Sequence, residues 1–75
     1  MSKTYRVAFG HRRKQLTSIE TRDPKRAADI YNAARDLGNF EGPIATVQDV
    51  TELSEYDEFL SSSEAGFRFV SITQI

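Results

Sequence analysis

Six basic side chains form two clusters in the first third of the chain, and they are the residues best suited to chemistry with an anion. The first cluster is Arg12, Arg13 and Lys14, and the second is Arg22, Lys25 and Arg26. Cationic side chains bind phosphate oxygens, and the backbone N–H groups at a helix amino terminus do the same. The second cluster also conflicts with the helix dipole, because it puts positive charge into a predicted first turn. Since such conflicts often mark functional sites, we expect all six residues to bind an anionic partner.

The competing interpretation is that these six residues only keep the protein in solution, because 28% charged residues is ordinary for a globular domain. Asp23 weakens an anion site at the helix start, since its own carboxylate can occupy the cap. Tyr5 and Phe9 offer rings on which bases could stack if their sheet face is open. Aromatic residues that alternate along a strand more often face a core.

The usual parts of a catalytic or metal site are scarce in this sequence. His11 is the single histidine, and it falls in a predicted turn without a fixed partner. An acidic group, lacking the spacing of an EF-hand loop, consists of Glu52, Glu55, Asp57 and Glu58. The solvated face of a short helix explains it. We therefore expect no catalytic residues, no metal and no cofactor, and a binding protein rather than an enzyme.

The formal charge is unevenly distributed along the chain. Up to Gly38 there are nine cationic and four acidic side chains, a net charge of +5, whereas the remainder carries one and seven, a net charge of −6. Such asymmetry indicates a charged partner or two oppositely charged surfaces. Alternatively, the two halves neutralise one another across the fold.

The length of 75 residues fits a single domain, residues 1–75, with one layer of core contacts. The chain has no cysteine, which suits a reducing cytoplasm. No apolar run approaches the roughly 20 residues that span a bilayer, and Lys3 and Arg6 interrupt the start too early for a signal peptide. We expect a cytoplasmic protein that does not enter a membrane.

A helix over residues 23–37 is the clearest structural element. Asp23 is suited to the amino-terminal cap, Pro24 to the first turn and Gly38 to a left-handed closing residue. The residues that recur every three or four positions and predict the buried stripe are Ala27, Ile30, Tyr31, Ala34 and Leu37.

The remaining segments predict strands and a second helix. Residues 3–9 alternate, with Tyr5, Val7 and Phe9 on one face, and residues 15–22 form a hairpin with them after a turn at 10–14. Leu16 and Ile19 would lie on opposite faces of a regular strand, so either a bulge intervenes or one of them is exposed.

After the main helix, we expect Phe40 to fold back onto the core, a third strand at residues 44–50, and a short helix from 52 or 55 to 60. Ser54 and Asp57 resemble a capping box for that helix. A last strand at 67–75 is expected to be central. The fold class is therefore α+β: a two-layer, mostly antiparallel four-stranded sheet with one main helix on one face, in the order ββαβαβ. The last two strands are parallel only if the short helix is a true crossover.

This order of elements, the basic clusters and the segment IETRDPKRAADIYNAARD resemble small phage-encoded host-inhibitor proteins, including some anti-CRISPR proteins. Members of that group bind a host complex, often where it would hold nucleic acid. The resemblance implies an inhibitor of a host nucleic-acid-processing or defence complex, with a host protein or nucleoprotein complex as partner. It transfers no individual site residue.

Two other functions stay open from the residues alone. One is direct nucleic-acid binding through the basic hairpin turn and helix start. The other is a small structural or regulatory subunit that assembles through edge pairing of the strand at 67–75. The sequence does not fix the oligomeric state.

Overall fold

The computed structural model describes residues 3–75, which form one four-stranded antiparallel sheet, two α-helices and a short 3-10 helix at Glu64–Gly66. In chain order the elements are β1 (Tyr5–His11), β2 (Lys14–Thr21), α1 (Pro24–Leu37), α2 (Val47–Thr51), β3 (Glu58–Ser62) and β4 (Arg68–Gln74). The strands lie in the order β2-β1-β4-β3, and every neighbouring pair is antiparallel. The predicted α+β class is confirmed, and so is the central position of the last strand.

The β1–β2 hairpin is confirmed, and it contains a bulge. Phe9 pairs with Thr17 whereas Gly10 pairs with Gln15, so Leu16 is the extra residue on β2. Leu16 is 67% exposed, and Ile19 stays opposite Val7. A bulge and an exposed residue, which the sequence offered as alternatives, therefore occur together, and Ile19 is itself 39% exposed. A bulge and the terminal Lys14 make this edge strand a poor template for pairing with another chain.

Helix α1 begins as expected but ends differently. The Asp23 carboxylate accepts a hydrogen bond from the backbone N–H of Lys25 at 3.0 Å, and Pro24 is the first helical residue. At the other end Leu37 is 90% exposed, so the buried stripe stops one turn earlier than predicted. The prediction of a left-handed Gly38 is wrong, because its φ is −83° and Asn39 takes the left-handed conformation instead. The absence of a side chain at Gly38 leaves room for the Phe40 ring, which folds back, as expected, to within 2.5 Å of where a β-carbon would lie.

The predicted third strand at 44–50 is wrong, since helix α2 occupies Val47–Thr51. Thr46 and Asp49 form a capping box: the Thr46 hydroxyl accepts from the Asp49 N–H at 3.0 Å, and the Asp49 carboxylate accepts from the Thr46 N–H at 3.2 Å. This cap, together with complete burial of Val50, outweighs the β-propensity of the segment.

The predicted short helix from 52 or 55 to 60 is also wrong. Ser54 and Asp57 do interact, with the Ser54 hydroxyl donating to the Asp57 carboxylate at 2.8 Å. The Asp57 N–H, however, donates to the Ser54 carbonyl at 3.1 Å and closes a turn that leads into β3. The short helix thus precedes the third strand, which makes the order ββααββ, and the connection between β3 and β4 is not a crossover because these two strands are antiparallel.

The core lies between one sheet face and the helices. Its fully buried side chains include Val7, Tyr31, Val50, Val70 and Ile72. Tyr5 is buried and the partly buried Phe9 packs against the core, so both face the core and cannot stack bases. Within residues 3–75 no helix covers the opposite sheet face, which we call the open face. The strand at 67–75 cannot pair edge to edge as the oligomer hypothesis required, because β4 lies between β1 and β3.

Candidate functional site

The six candidate binding residues lie in two places rather than one. Arg12 and Arg13 form the turn between β1 and β2, Lys14 begins β2, and Arg22 follows the far end of that strand. A strand rises about 3.3 Å per residue, so the length of β2 puts roughly 23 Å between the two ends. The structure therefore separates the clusters along the strand, and they do not share one compact phosphate site.

In the cluster at the helix start, one of the three cations is paired with a carboxylate. Lys25 makes an ion pair with Asp29 at 2.9 Å. Its hydrogen bond to Asp29 and the negative charge of that carboxylate, with a smaller contribution from Asp23, raise the pKa of Lys25. Arg26 shares a shallow depression with both acids. Because Asp23 already caps the helix, this end offers mixed charge and an occupied cap.

The cluster at the hairpin tip has no such compensation. The ion pairs found in residues 3–75 are Arg6–Glu20, Lys25–Asp29 and Arg35–Asp36. All of them join residues of the cationic first half to each other. Among the described residues, no ion pair therefore joins the cationic first half to the acidic second half. Arg68 adds a fourth cation at this end of the sheet, since it pairs with His11 in the β1–β4 register.

Both turn residues at the tip have left-handed backbone conformations. The φ angles are 52° for Arg12 and 66° for Arg13, and the paired residues His11 and Lys14 enclose a two-residue connection. This is the geometry of a type I′ turn, for which Asn-Gly is the favoured sequence. A side chain with a β-carbon costs about 1–2 kcal/mol in this region. Two consecutive arginines therefore make this turn less stable than Asn-Gly would.

An aromatic ring lies among the tip cations. The Phe67 side chain is 52% exposed, with the Arg12 guanidinium 5.7 Å from its ring centroid and the His11 ring 6.4 Å away. The Arg12 N–H donates to the Phe67 carbonyl at 2.8 Å, which holds the turn against the segment leading into β4. Hereafter the tip surface means His11, Arg12, Arg13, Lys14, Phe67 and Arg68.

A groove runs from the tip surface onto the open face, with a volume of about 360 Å³. Arg13 and Gly66 line one end and Glu58 the other, with Leu60 and Phe69 between them. The Phe69 ring covers the backbone of Gly10, where a β-carbon would come within 2.0 Å of the ring. The groove is thus cationic at the tip, apolar in its middle and anionic at its far end.

Four acidic residues gather at the other end of β3, whereas Glu41 bridges to Ser62 and Glu64 follows β3 at its tip end. Asp49, Glu52, Asp57 and Glu58 surround a second depression of about 290 Å³. Asp49 and Asp57 are engaged in the local cap and turn described above. In the part of the chain that is described, no group of three His, Cys, Asp or Glu side chains is placed to hold a metal ion.

Phe67, Arg68 and Phe69 are the site residues that the sequence analysis missed. They lie more than fifty positions from the turn and reach it only because β4 pairs with β1. An antiparallel pairing of the first and last strands, once assumed, would have placed Arg68 opposite His11. No helix among residues 3–75 has the length and apolar character needed to cross a bilayer. Neither family models, curated proteins nor solved structures give a match to this chain.

Proposed function

We propose that this is a small non-enzymatic binding protein that acts in the cytoplasm through its tip surface. Its partner is a host protein or nucleoprotein complex, and the tip contacts an anionic part of that partner. The observation that carries the proposal is the pair of left-handed arginines at the turn. A chain under selection for stability alone would favour Asn-Gly there, and strain that persists in a structure points to a functional role.

The charge distribution supports a partner that handles nucleic acid. The tip presents cations without ion pairs in the described chain, and four of the seven acidic side chains of the second half surround the depression at the opposite end of β3. Glu41 and Glu64 lie toward the tip end of that strand. A nucleoprotein complex offers both complementary signs, since it exposes phosphates beside the basic side chains that hold them. The role of a phage or mobile-element inhibitor rests on the resemblance to phage-encoded host-inhibitor proteins. Of the element order behind that resemblance, this chain has the hairpin followed by the main helix.

Affinity capture from host cells tests the proposal. The wild-type protein is compared with Arg12→Asn/Arg13→Gly, which keeps the turn and removes both guanidinium groups. Arg22→Gln/Arg26→Gln removes the same charge about 23 Å away along β2. We expect the wild type to capture a nucleic-acid-processing complex, identified by mass spectrometry, and the tip variant to lose it.

Two outcomes would contradict the proposal. If the tip variant captures the same complex as the wild type, the tip surface is not the binding site. If the helix-start variant loses the complex to the same degree, overall charge rather than the tip governs binding.

Direct nucleic-acid binding is the second candidate, and one specific observation favours it. Phenylalanine is usually buried, yet Phe67 exposes half of its side chain beside Arg12 at the end of the sheet. A flat ring among cations is the combination with which proteins bind unpaired nucleotides.

A further inference from the structure

We infer that the tip surface binds single-stranded nucleic acid, with a base stacked on Phe67 and the flanking phosphates on Arg12, Arg13, Lys14 and Arg68. This inference rests on the proposed function, because it names the anionic component that the same surface contacts. The second half of the site is therefore formed by Phe67 and Arg68 rather than by the helix start, which the sequence suggested.

The cations are arranged along the end of the sheet rather than around a point. His11 lies between Lys14 on β2 and Arg68 on β4 in the strand register, and the two turn arginines extend beyond that row. Neighbouring strands are about 4.8 Å apart, so this row spans roughly 10 Å from β2 to β4. An extended single strand can cross that distance with successive phosphates near successive cations.

Phe67 supplies a surface on which a base can stack. Its ring is half exposed, and the Arg12 guanidinium and His11 ring beside it are themselves planar groups that stack on bases. The hydrogen bond from the Arg12 N–H to the Phe67 carbonyl holds the Phe67 backbone against the turn before a ligand arrives. Stacking of this kind requires a base that is not already stacked and paired in a duplex.

The breadth of the sheet disfavours a duplex. The major groove of B-DNA is about 12 Å wide and admits a two-stranded ribbon. Here β4 pairs with β1 as far as His11, so only Arg12 and Arg13 project beyond a row of three strands. The hairpin cannot enter the groove without β4, whose side chains widen the row beyond its backbone span of about 10 Å.

The charge at the far end of the open-face groove limits how much of the strand is held. Glu58 lies four residues along β3 from Ser62, which puts it about 13 Å away and repels a phosphate there. The bound segment is therefore short and stays at the tip surface, from which Arg13 is the one of the four cations that also lines the groove.

Fluorescence anisotropy tests the inference with four labelled probes of equal length: oligo-dT, oligo-U, an abasic strand with the same phosphates, and a DNA duplex. We expect oligo-dT and oligo-U to bind more tightly than the other two. Three or four phosphate contacts at about 0.7 each predict a log–log salt slope between about 2 and 3. Phe67→Ala should weaken oligo-dT binding by roughly 5- to 150-fold, as expected for one lost base stack.

Phe67→Tyr is the matched control, because it keeps the ring and should keep the affinity. Equal binding of the abasic strand, equal or tighter binding of the duplex, or an unchanged affinity for Phe67→Ala would each overturn the inference. So would a failure of all four probes to bind. If oligonucleotides fail while capture of the host complex still depends on Arg12 and Arg13, the proposed function stands and only this inference is lost.

Discussion

Replacing the two tip arginines by Asn-Gly is expected to stabilise the fold. Both positions are left-handed, so strain of about 1–2 kcal/mol at each is available for release. Asparagine keeps part of that strain, and glycine loses about 0.5–1 kcal/mol through greater freedom of the unfolded chain. Loss of the exposed contact between Arg12 and the Phe67 ring removes about 0.5–1 kcal/mol more. The net gain is about 1 kcal/mol, which raises the Tm of a domain of this size by about 4–8 °C.

Thermal unfolding followed by circular dichroism measures this gain, and Arg12→Ala/Arg13→Ala is the matched control. The alanine pair removes the same charge and the same ring contact but keeps both β-carbons in the left-handed region. Its Tm should therefore lie below that of the Asn-Gly pair. If the two double variants melt together, relief of charge repulsion explains the change and the turn is not strained. A Tm below wild type for the Asn-Gly pair would refute the turn geometry itself.

Two further predictions concern the contacts that hold α1 to the rest of the fold. The Tyr31 hydroxyl donates to the Pro43 carbonyl at 2.7 Å and lies 2.6 Å from the Ser61 hydroxyl. Burial raises the pKa of Tyr31, so the unfolded state loses the phenol proton at a lower pH than the folded state. The free energy of unfolding should therefore fall as the pH rises above about 10. Urea titrations across that range should show this loss in the wild type and less of it in Tyr31→Phe. The Asn32 side-chain amide donates to the Ala45 carbonyl at 2.7 Å and accepts from the Ala45 N–H at 3.0 Å. Asn32→Ala removes both hydrogen bonds, and urea unfolding should show that the free energy of unfolding falls by about 1–3 kcal/mol. Ala33→Ser, at an exposed position of the same helix, is the control and should change it little.

The parts of the fold that depend on local signals could be predicted from the sequence. The hairpin follows from strand alternation on either side of a polar turn, and the start of α1 follows from Asp23 and Pro24. These signals involve residues a few positions apart, so the sequence contains them in full. The packing of Phe40 against the core could be predicted because the short loop after α1 keeps its aromatic ring close to the core.

The exchange of the third strand and second helix shows where local signals are insufficient. Thr46 with Asp49 and Ser54 with Asp57 have the same spacing and make similar hydrogen bonds, yet the first pair caps α2 and the second closes a turn. What differs is the non-local environment of the residues that follow. Ser61 pairs with Val70 on β4 and meets Tyr31 of α1, which draws this segment into the sheet. Neither contact is visible from periodicity.

The site divides in the same way. Arg12, Arg13 and Lys14 are adjacent in sequence, so their cluster was visible, whereas Phe67 joins them only through the pairing of β1 with β4. Because of that pairing, the Arg12 N–H donates to the Phe67 carbonyl and holds the two-residue turn against the segment before β4. The turn that carries the cations is therefore ordered in the free protein. A preordered surface loses less conformational entropy on binding. A domain of 75 residues has a free energy of unfolding of roughly 4–11 kcal/mol. A turn that lowers it by about 1 kcal/mol removes a substantial fraction of that stability, which favours a binding role for the tip.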